Sequence, residues 1–272
     1  MNALRWIVFA IAAFAMNFPV IVTLITSFKS AREIATNPGL IVQAPTLANY
    51  ANVLTDTSRF NIYAYLFNST VAALIGSLLA LLLTFPAAYA IVRTGAGRRH
   101  VLPLVANLRA VPLVVFAIPL YMMFQFVGLL DTRLGLGLIL TIVNLPLSLM
   151  MMVNAIVDMP SEIDEAARMD RAGAVVILRR ITRPVIRPAI VTAFIFGFIT
   201  AWNEFLFGLM LTTRDAVPVT VGASFFFSAS GGGVQWGVAS AVMILGALPP
   251  AILGMLIYRQ LTGSMTAGAV KG

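Results

Sequence analysis

The sequence predicts an all-α integral membrane protein of six transmembrane helices, with a long cytoplasmic loop between spans four and five. Three observations predict it. The 272 residues are 60% hydrophobic and only 10% charged, whereas soluble domains carry about 25% charged residues. Six apolar runs each reach the length of about 20 residues that a helix needs to cross a bilayer. The basic residues are also divided unequally between the loops that separate those runs.

The first run covers residues 6–27. Ala13-Phe14-Ala15 within it is similar to a signal-peptide cleavage site, but the run continues through Ile21-Val22-Thr23-Leu24 and so reads as a retained anchor. Residues 29–64, with Asn37-Pro38-Gly39 and Pro45, form an external surface segment. The next runs are 65–92, 101–127, which contains Arg109, and 134–157, which contains Asn144. The last two are 189–211, which contains Asn203 and Glu204, and 236–258. Between them, 212–235 is a second external segment, marked by Pro218 and the glycines at 231–233. Prolines 103, 112, 119 and 146 imply bent or interrupted helices.

The net charge is +8, from 18 Lys and Arg against 10 Asp and Glu. Twelve of the basic residues lie in the loops that share a side with both termini, six of them between Arg168 and Arg187. The opposite side holds five, Lys29, Arg32, Arg59, Arg133 and Arg214, and Arg109 sits inside a span. Positive loops stay inside, so both termini and the segment 158–188 are expected in the cytoplasm. In so apolar a chain the basic excess signals membrane orientation, not nucleic-acid binding.

Composition also removes whole classes of chemistry. With no cysteine, disulfides, thiolate metal sites and cysteine nucleophiles are excluded, and with His100 as the sole histidine so is any multi-histidine metal site. His100, beside Arg98 and Arg99, reads as a solvated loop residue and not as the base of an intramembrane enzyme. Lys29 and Lys271 follow Phe28 and Val270, so the G-x-x-x-x-G-K-[ST] phosphate loop is missing.

The segment 158–188 reads DMPSEIDEAARMDRAGAVVILRRITRPVIRP and is the least membrane-like part of the chain. Ser161 is placed to cap a short helix over about 162–170, with Asp164 answering three positions later. Ala166 and Ala167 allow another backbone to approach closely. Gly173 suits a break with positive φ, and a second helix over 175–181 is stopped by Pro184. Pattern alone leaves two readings: a helix pair lying on the lipid surface, with arginines toward anionic headgroups, or a docking element for a cytoplasmic partner.

Glu165-Ala166-Ala167, Asp170 and the downstream Pro184 and Pro188 resemble the EAA loop of ATP-binding-cassette importer permeases, in the carbohydrate-uptake branch and of the maltose-transporter type. Further strings fit that branch in order and spacing: Thr26-Ser27-Phe28-Lys29, Pro45-Thr46 with Asn49-Tyr50, and Gly128-Leu129-Leu130-Asp131-Thr132. Trp202-Asn203-Glu204-Phe205 and the ending Ala267-Gly268-Ala269-Val270-Lys271-Gly272 complete the set, so the resemblance spans nearly the whole chain. Two departures stand out. Arg171 occupies the place of the usual glycine, which implies that the turn shifts to Gly173, and Arg183 precedes Pro184 where an apolar residue is usual.

The resemblance implies a single permease domain over 1–272, with a coupling loop at about 158–188 and a cytoplasmic tail at about 259–272. Glu165, Ala166, Ala167, Asp170 and Gly173 would couple it to ATPase subunits. It further implies a second homologous permease, two cytoplasmic ATPases, an extracytoplasmic binding protein and a sugar-like solute. No cofactor is expected in this chain, ATP and Mg being held by the partner ATPases, and the location is the bacterial inner membrane. An ion-coupled secondary carrier is the alternative, because Arg109 and Glu204 are ionisable residues within spans. Arg109, Asn144, Asn203 and Glu204 are the candidate solute-pathway residues. Arg109 suits anionic oxygens, and Asn144 suits either a hydroxyl-rich ligand or a neighbouring helix.

Overall fold

The computed structural model describes residues 2–57, 60–227 and 234–268, with side-chain surroundings over 4–255. Arg59, the glycines at 231–233, Lys271 and the last four residues of the 259–272 tail lie outside the described residues. The described chain is helical throughout, without a strand.

In chain order, α1 (Asn2–Ser27) leads to the short helices α2 (Ala31–Thr36) and α3 (Ala48–Thr55), then to α4 (Ile62–Thr94). Two half-length helices follow, α5 (Val101–Asn107) and α6 (Val114–Phe126), then α7 (Arg133–Val157) and α8 (Ser161–Met169). The chain continues through α9 (Ala174–Val176), a π-helical stretch Ile177–Thr182 and α10 (Arg183–Val185), and bends by 80° into α11 (Arg187–Trp202). The remainder is α12 (Leu206–Leu211), α13 (Val219–Ser224), a 3-10 turn at Phe225–Phe227 and α14 (Trp236–Gly268).

α1, α4, α7 and α14 are long and apolar enough to cross a membrane, and the bent pair ending in α11 is a fifth candidate if counted as one span. Two expected spans are interrupted. The run 101–127 is helical only to Asn107 and again from Val114, because Pro112 has no N–H and disfavours helical geometry in the residue before it. The run 189–211 breaks after Trp202 with no proline nearby. There the Glu204 carboxylate accepts the N–H groups of Phe207 (3.0 Å) and Gly208 (3.3 Å), a local cap that competes with helix continuation. The π-helical stretch precedes Pro184, whose missing N–H leaves the carbonyl four residues earlier without its α-helical donor, and the turn widens.

The chain forms two compact units. One comprises the residues through Leu66 together with Val219–Leu248. Its organising residue is Asn49, whose Nδ2 donates to the carbonyls of Ser27 and Lys29, both at 2.9 Å. Ser27 Oγ and Tyr50 OH are 2.8 Å apart, Phe28 packs on the Tyr50 ring, and Thr46 N–H donates to the Phe28 carbonyl. Thus Thr26-Ser27-Phe28-Lys29 and Pro45-Thr46 with Asn49-Tyr50 are two halves of one clasp. Beside it, buried Glu33 accepts the N–H groups of Gln43 (2.6 Å) and Ala44 (3.3 Å). Those bonds, with the Gln43 bond first, hold its carboxyl below the usual carboxylate value.

The second unit comprises Phe67–Pro218 with the chain from Pro249, and α7 is its centre. Gly137, Thr141, Asn144, Ser148, Met152 and Ile156 recur every three or four residues and form the buried face of α7. Small residues let helices approach. A Cβ on Gly76 of α4 would lie 2.7 Å from the Leu140 Cβ, and one on Gly137 would lie 2.6 Å from the Ile75 Cβ. A Cβ on Gly197 of α11 would lie 3.3 Å from the Ser77 Cβ, a looser approach. Close backbone packing of this kind joins helices in lipid, where apolar burial gives no net drive between them.

The Gly128-Leu129-Leu130-Asp131-Thr132 string is a connector in this unit. Gly128, at φ 68°, ends α6, with Leu129 N–H donating to the Phe124 carbonyl across a Schellman turn. Thr132 caps α7 through Gly135 N–H at 2.9 Å. Burial pushes the Asp131 carboxyl up, but N–H donors from Asp215, Thr213, Ala216 and Arg214 outweigh it and hold the pKa at about 2.

Candidate coupling and translocation sites

α8 begins at Ser161, with Pro160 at the N-cap and no side-chain capping bond. The expected pairing of Ser161 with Asp164 is not formed, because Asp164 is turned inward and engaged elsewhere. Its Oδ2 accepts from Arg93 Nε at 2.5 Å, while Arg93 Nη2 donates to the Met159 carbonyl at 2.7 Å. The two side chains are only 11% and 3% exposed. Ala167 lies one turn along the same face and packs into a core cluster that includes Tyr89, Ile177 and Ile186. Glu165 and Ala166 face outward. Of the two adjacent alanines, Ala167 is therefore buried while Ala166 is exposed.

Asp170 is the exposed C-cap of α8. The turn beyond it is a Schellman motif, with Arg171 N–H donating to the Arg168 carbonyl (2.9 Å) and Ala172 N–H to the Ala167 carbonyl (3.0 Å). Its left-handed position is Arg171, at φ 59°. The turn has not shifted to Gly173, which is extended at φ −71° and forms the exposed N-cap of α9. The hydrogen-bonding pattern dictates the backbone conformation whichever residue stands there.

A second feature is an open cavity of about 310 Å³ lined by the α5–α6 break, α6, α7, α11 and α12, with Leu108, Arg109, Phe116, Pro146, Thr200 and Phe207 among its lining residues. Arg109 lies in the turn between the half-helices, exposed, and its guanidinium makes no hydrogen bond or ion pair among the described residues. Its walls are otherwise mostly apolar. Asn144 is fully buried, with Nδ2 donating to the Gly197 carbonyl at 3.1 Å. Its Oδ1, and Ser148 Oγ one turn on, are buried without a partner among the described residues. Asn203 caps the end of α11 through the Ile199 carbonyl, and Glu204 caps the start of α12. The structure thus puts Arg109 on the cavity, Asn144 in a helix contact, and Asn203 and Glu204 at a helix break.

Sequence reasoning missed the Arg93–Asp164 pair. Helical spacing held the signal: Asp164 and Ala167, three apart, share a face, and an acid on a buried face requires a cationic partner.

Long and broken apolar helices are the setting of both features, and comparison with known proteins defines the class. The chain belongs to the binding-protein-dependent transport system inner membrane component family, whose profile matches residues 72–266. It is a permease subunit of an ABC importer, a multi-pass inner-membrane protein of a family in which separate subunits hydrolyse ATP.

Among particular relatives, it is 31% identical to the sulfoquinovosyl glycerol transport system permease protein SmoH of Agrobacterium fabrum, over 99% of this chain and 94% of that one. It is also 31% identical to the trehalose/maltose transport system permease protein MalG of Thermococcus litoralis, over 94% and 91% of the two chains. A bacterial ABC transporter that imports the acidic polysaccharide alginate has the same fold, with a TM-score of 0.79 over 95% of both chains at 20% identity. Family membership decides against the ion-coupled carrier.

Proposed function

We propose that this subunit imports a sugar or sugar derivative delivered by an extracytoplasmic binding protein, beside a second homologous permease and above two ATPases that hold ATP and Mg. Six crossings are reached by taking α5 with α6, and the bent pair ending in α11, as one span each. Both termini then lie in the cytoplasm, in keeping with the skew of basic residues. The observation that carries the coupling reading is α8: its inner face is held by Asp164 and Ala167, and its outer face offers Glu165 and Ala166 to a partner.

Glu165→Ala tests it. Removing one member of a partly buried charge pair costs about 3–5 kcal/mol, against about 0–1 kcal/mol for an exposed pair. The variant should assemble in the membrane but lose ATPase co-purification. Retention of the ATPase at the wild-type level refutes docking through Glu165.

Support for the solute class comes from relatives whose names specify sulfoquinovosyl glycerol and trehalose/maltose. Arg109, on the cavity wall and without a partner among the described residues, suits a sulfonate or carboxylate, which a guanidinium binds in a forked geometry. Arg109→Gln should reduce uptake of an acidic sugar and spare ATPase assembly. Loss of assembly with unchanged uptake per complex makes Arg109 structural instead.

A further inference from the structure

Resting on the reading of α8 as the ATPase-docking helix, we infer that Arg93 is a positioning residue. It straps α8 to the end of α4, so that a displacement imposed on α8 moves α4 as well.

α4 has 33 residues, a length of about 50 Å where the bilayer core is about 30 Å thick. The helix is longer than that core requires, and Arg93 sits in its last turn. From there one guanidinium holds two points of a distant segment, the Asp164 carboxylate within α8 and the Met159 carbonyl in the turn before it. The partners are 71 and 66 residues away in sequence. α8 is nine residues long, and only Asp164 and Ala167 are buried, so it has little apolar hold of its own. By chain connection alone α8 is joined to α7 before it and to α9 after it. Beside the cluster that Ala167 shares with Tyr89, the ion pair adds a polar tie to α4, which also abuts α7 through Gly76 and α11 through Ser77. Asp164 Oδ1 has no partner among the described residues, so the connection runs through a single carboxylate oxygen. Two charges almost removed from water are held far more firmly than an exposed pair, which suits a joint that must bear load without slipping.

The test uses the assembled importer. The chain contains no cysteine, so spin labels can be placed directly at Thr94, the exposed end of α4, and Met169, the exposed end of α8. Distances are measured by pulsed electron paramagnetic resonance without nucleotide and after trapping with ATP and orthovanadate. With Arg93 present, the 94–169 distance should stay single and unchanged between the two states. In Arg93→Met it should broaden and change on trapping while the ATPase still co-purifies, and Arg93→Lys should restore part of the order. A distance that changes in the parent complex, or one in Arg93→Met that matches the parent in both states, overturns the proposal. So does loss of the ATPase from Arg93→Met, which would make the pair a docking requirement. Should Arg93→Met fail to assemble, Arg93→Lys decides by the same criteria: disorder intermediate between bound and free supports the strap, and parent-like or ATPase-free behaviour overturns it. Failure of the docking reading is distinct, because the Glu165→Ala complex would then keep its ATPase whatever the labels report.

Discussion

Gly76 and Leu140 bring α4 and α7 together so closely that a Cβ on the glycine would lie 2.7 Å from the Cβ of the leucine and 3.1 Å from its backbone carbon. Neither neighbour is the end of a flexible side chain, so a larger residue must push the helices apart. Overpacking of this kind costs about 1–3 kcal/mol. Gly76→Val should lower the thermal stability of the purified complex by that order, while valine at exposed Leu82 on the same helix should change little.

Asn49 satisfies two carbonyls at once, and both lose their donor if it is truncated. A buried group left without its bond costs about 1–3 kcal/mol. Asn49→Ala should therefore loosen the clasp, read as faster amide exchange over residues 27–50 with no change in ATPase co-purification.

Asp131 makes a pH-dependent prediction. Its carboxyl titrates at about 2, below the ordinary 3.8, so its contribution to stability is complete above about pH 4 and is lost as pH falls through about 2. Asp131→Asn turns one acceptor into a donor that faces backbone N–H groups. The variant should show faster pepsin cleavage within 211–218 already at pH 4, and the parent should approach its rate only as the pH is lowered toward 2.

Arg171 holds a left-handed backbone conformation that costs a side-chain-bearing residue about 1–2 kcal/mol relative to glycine. Arg171→Gly should stabilise the α8–α9 turn by about 1 kcal/mol, seen as slower amide exchange over 166–173. Arg171→Val should do the reverse.

The fold class and the positions of α1, α4, α7 and α14 were legible because long apolar runs leave few alternatives. The interruption before Val114 was foreshadowed by Pro112, whereas the break after Trp202 was not: Glu204 stood out in sequence as an intramembrane charge, not as the cap that it forms on Phe207 and Gly208. Arg171 is a similar case: residue preference pointed to Gly173, but the hydrogen bonds that close α8 fixed the left-handed position two residues earlier. In the segment 158–188 the exposure of Glu165 was anticipated. The Arg93–Asp164 pair was not, because spacing marks Asp164 as sharing a face with Ala167 but does not name a partner 71 residues away.

The gap between α5 and α6 bears on how the subunit survives in a cell. Residues 108–113 run non-helically where a span was expected, so part of their backbone lacks helical partners, and such groups are not tolerated against hydrocarbon. An orphan copy inserted by itself would lack any shield over this stretch and over the exposed Arg109 guanidinium beside it. Quality-control proteases should recognise that lesion, so the subunit should persist only when synthesised together with the polypeptides that shield it.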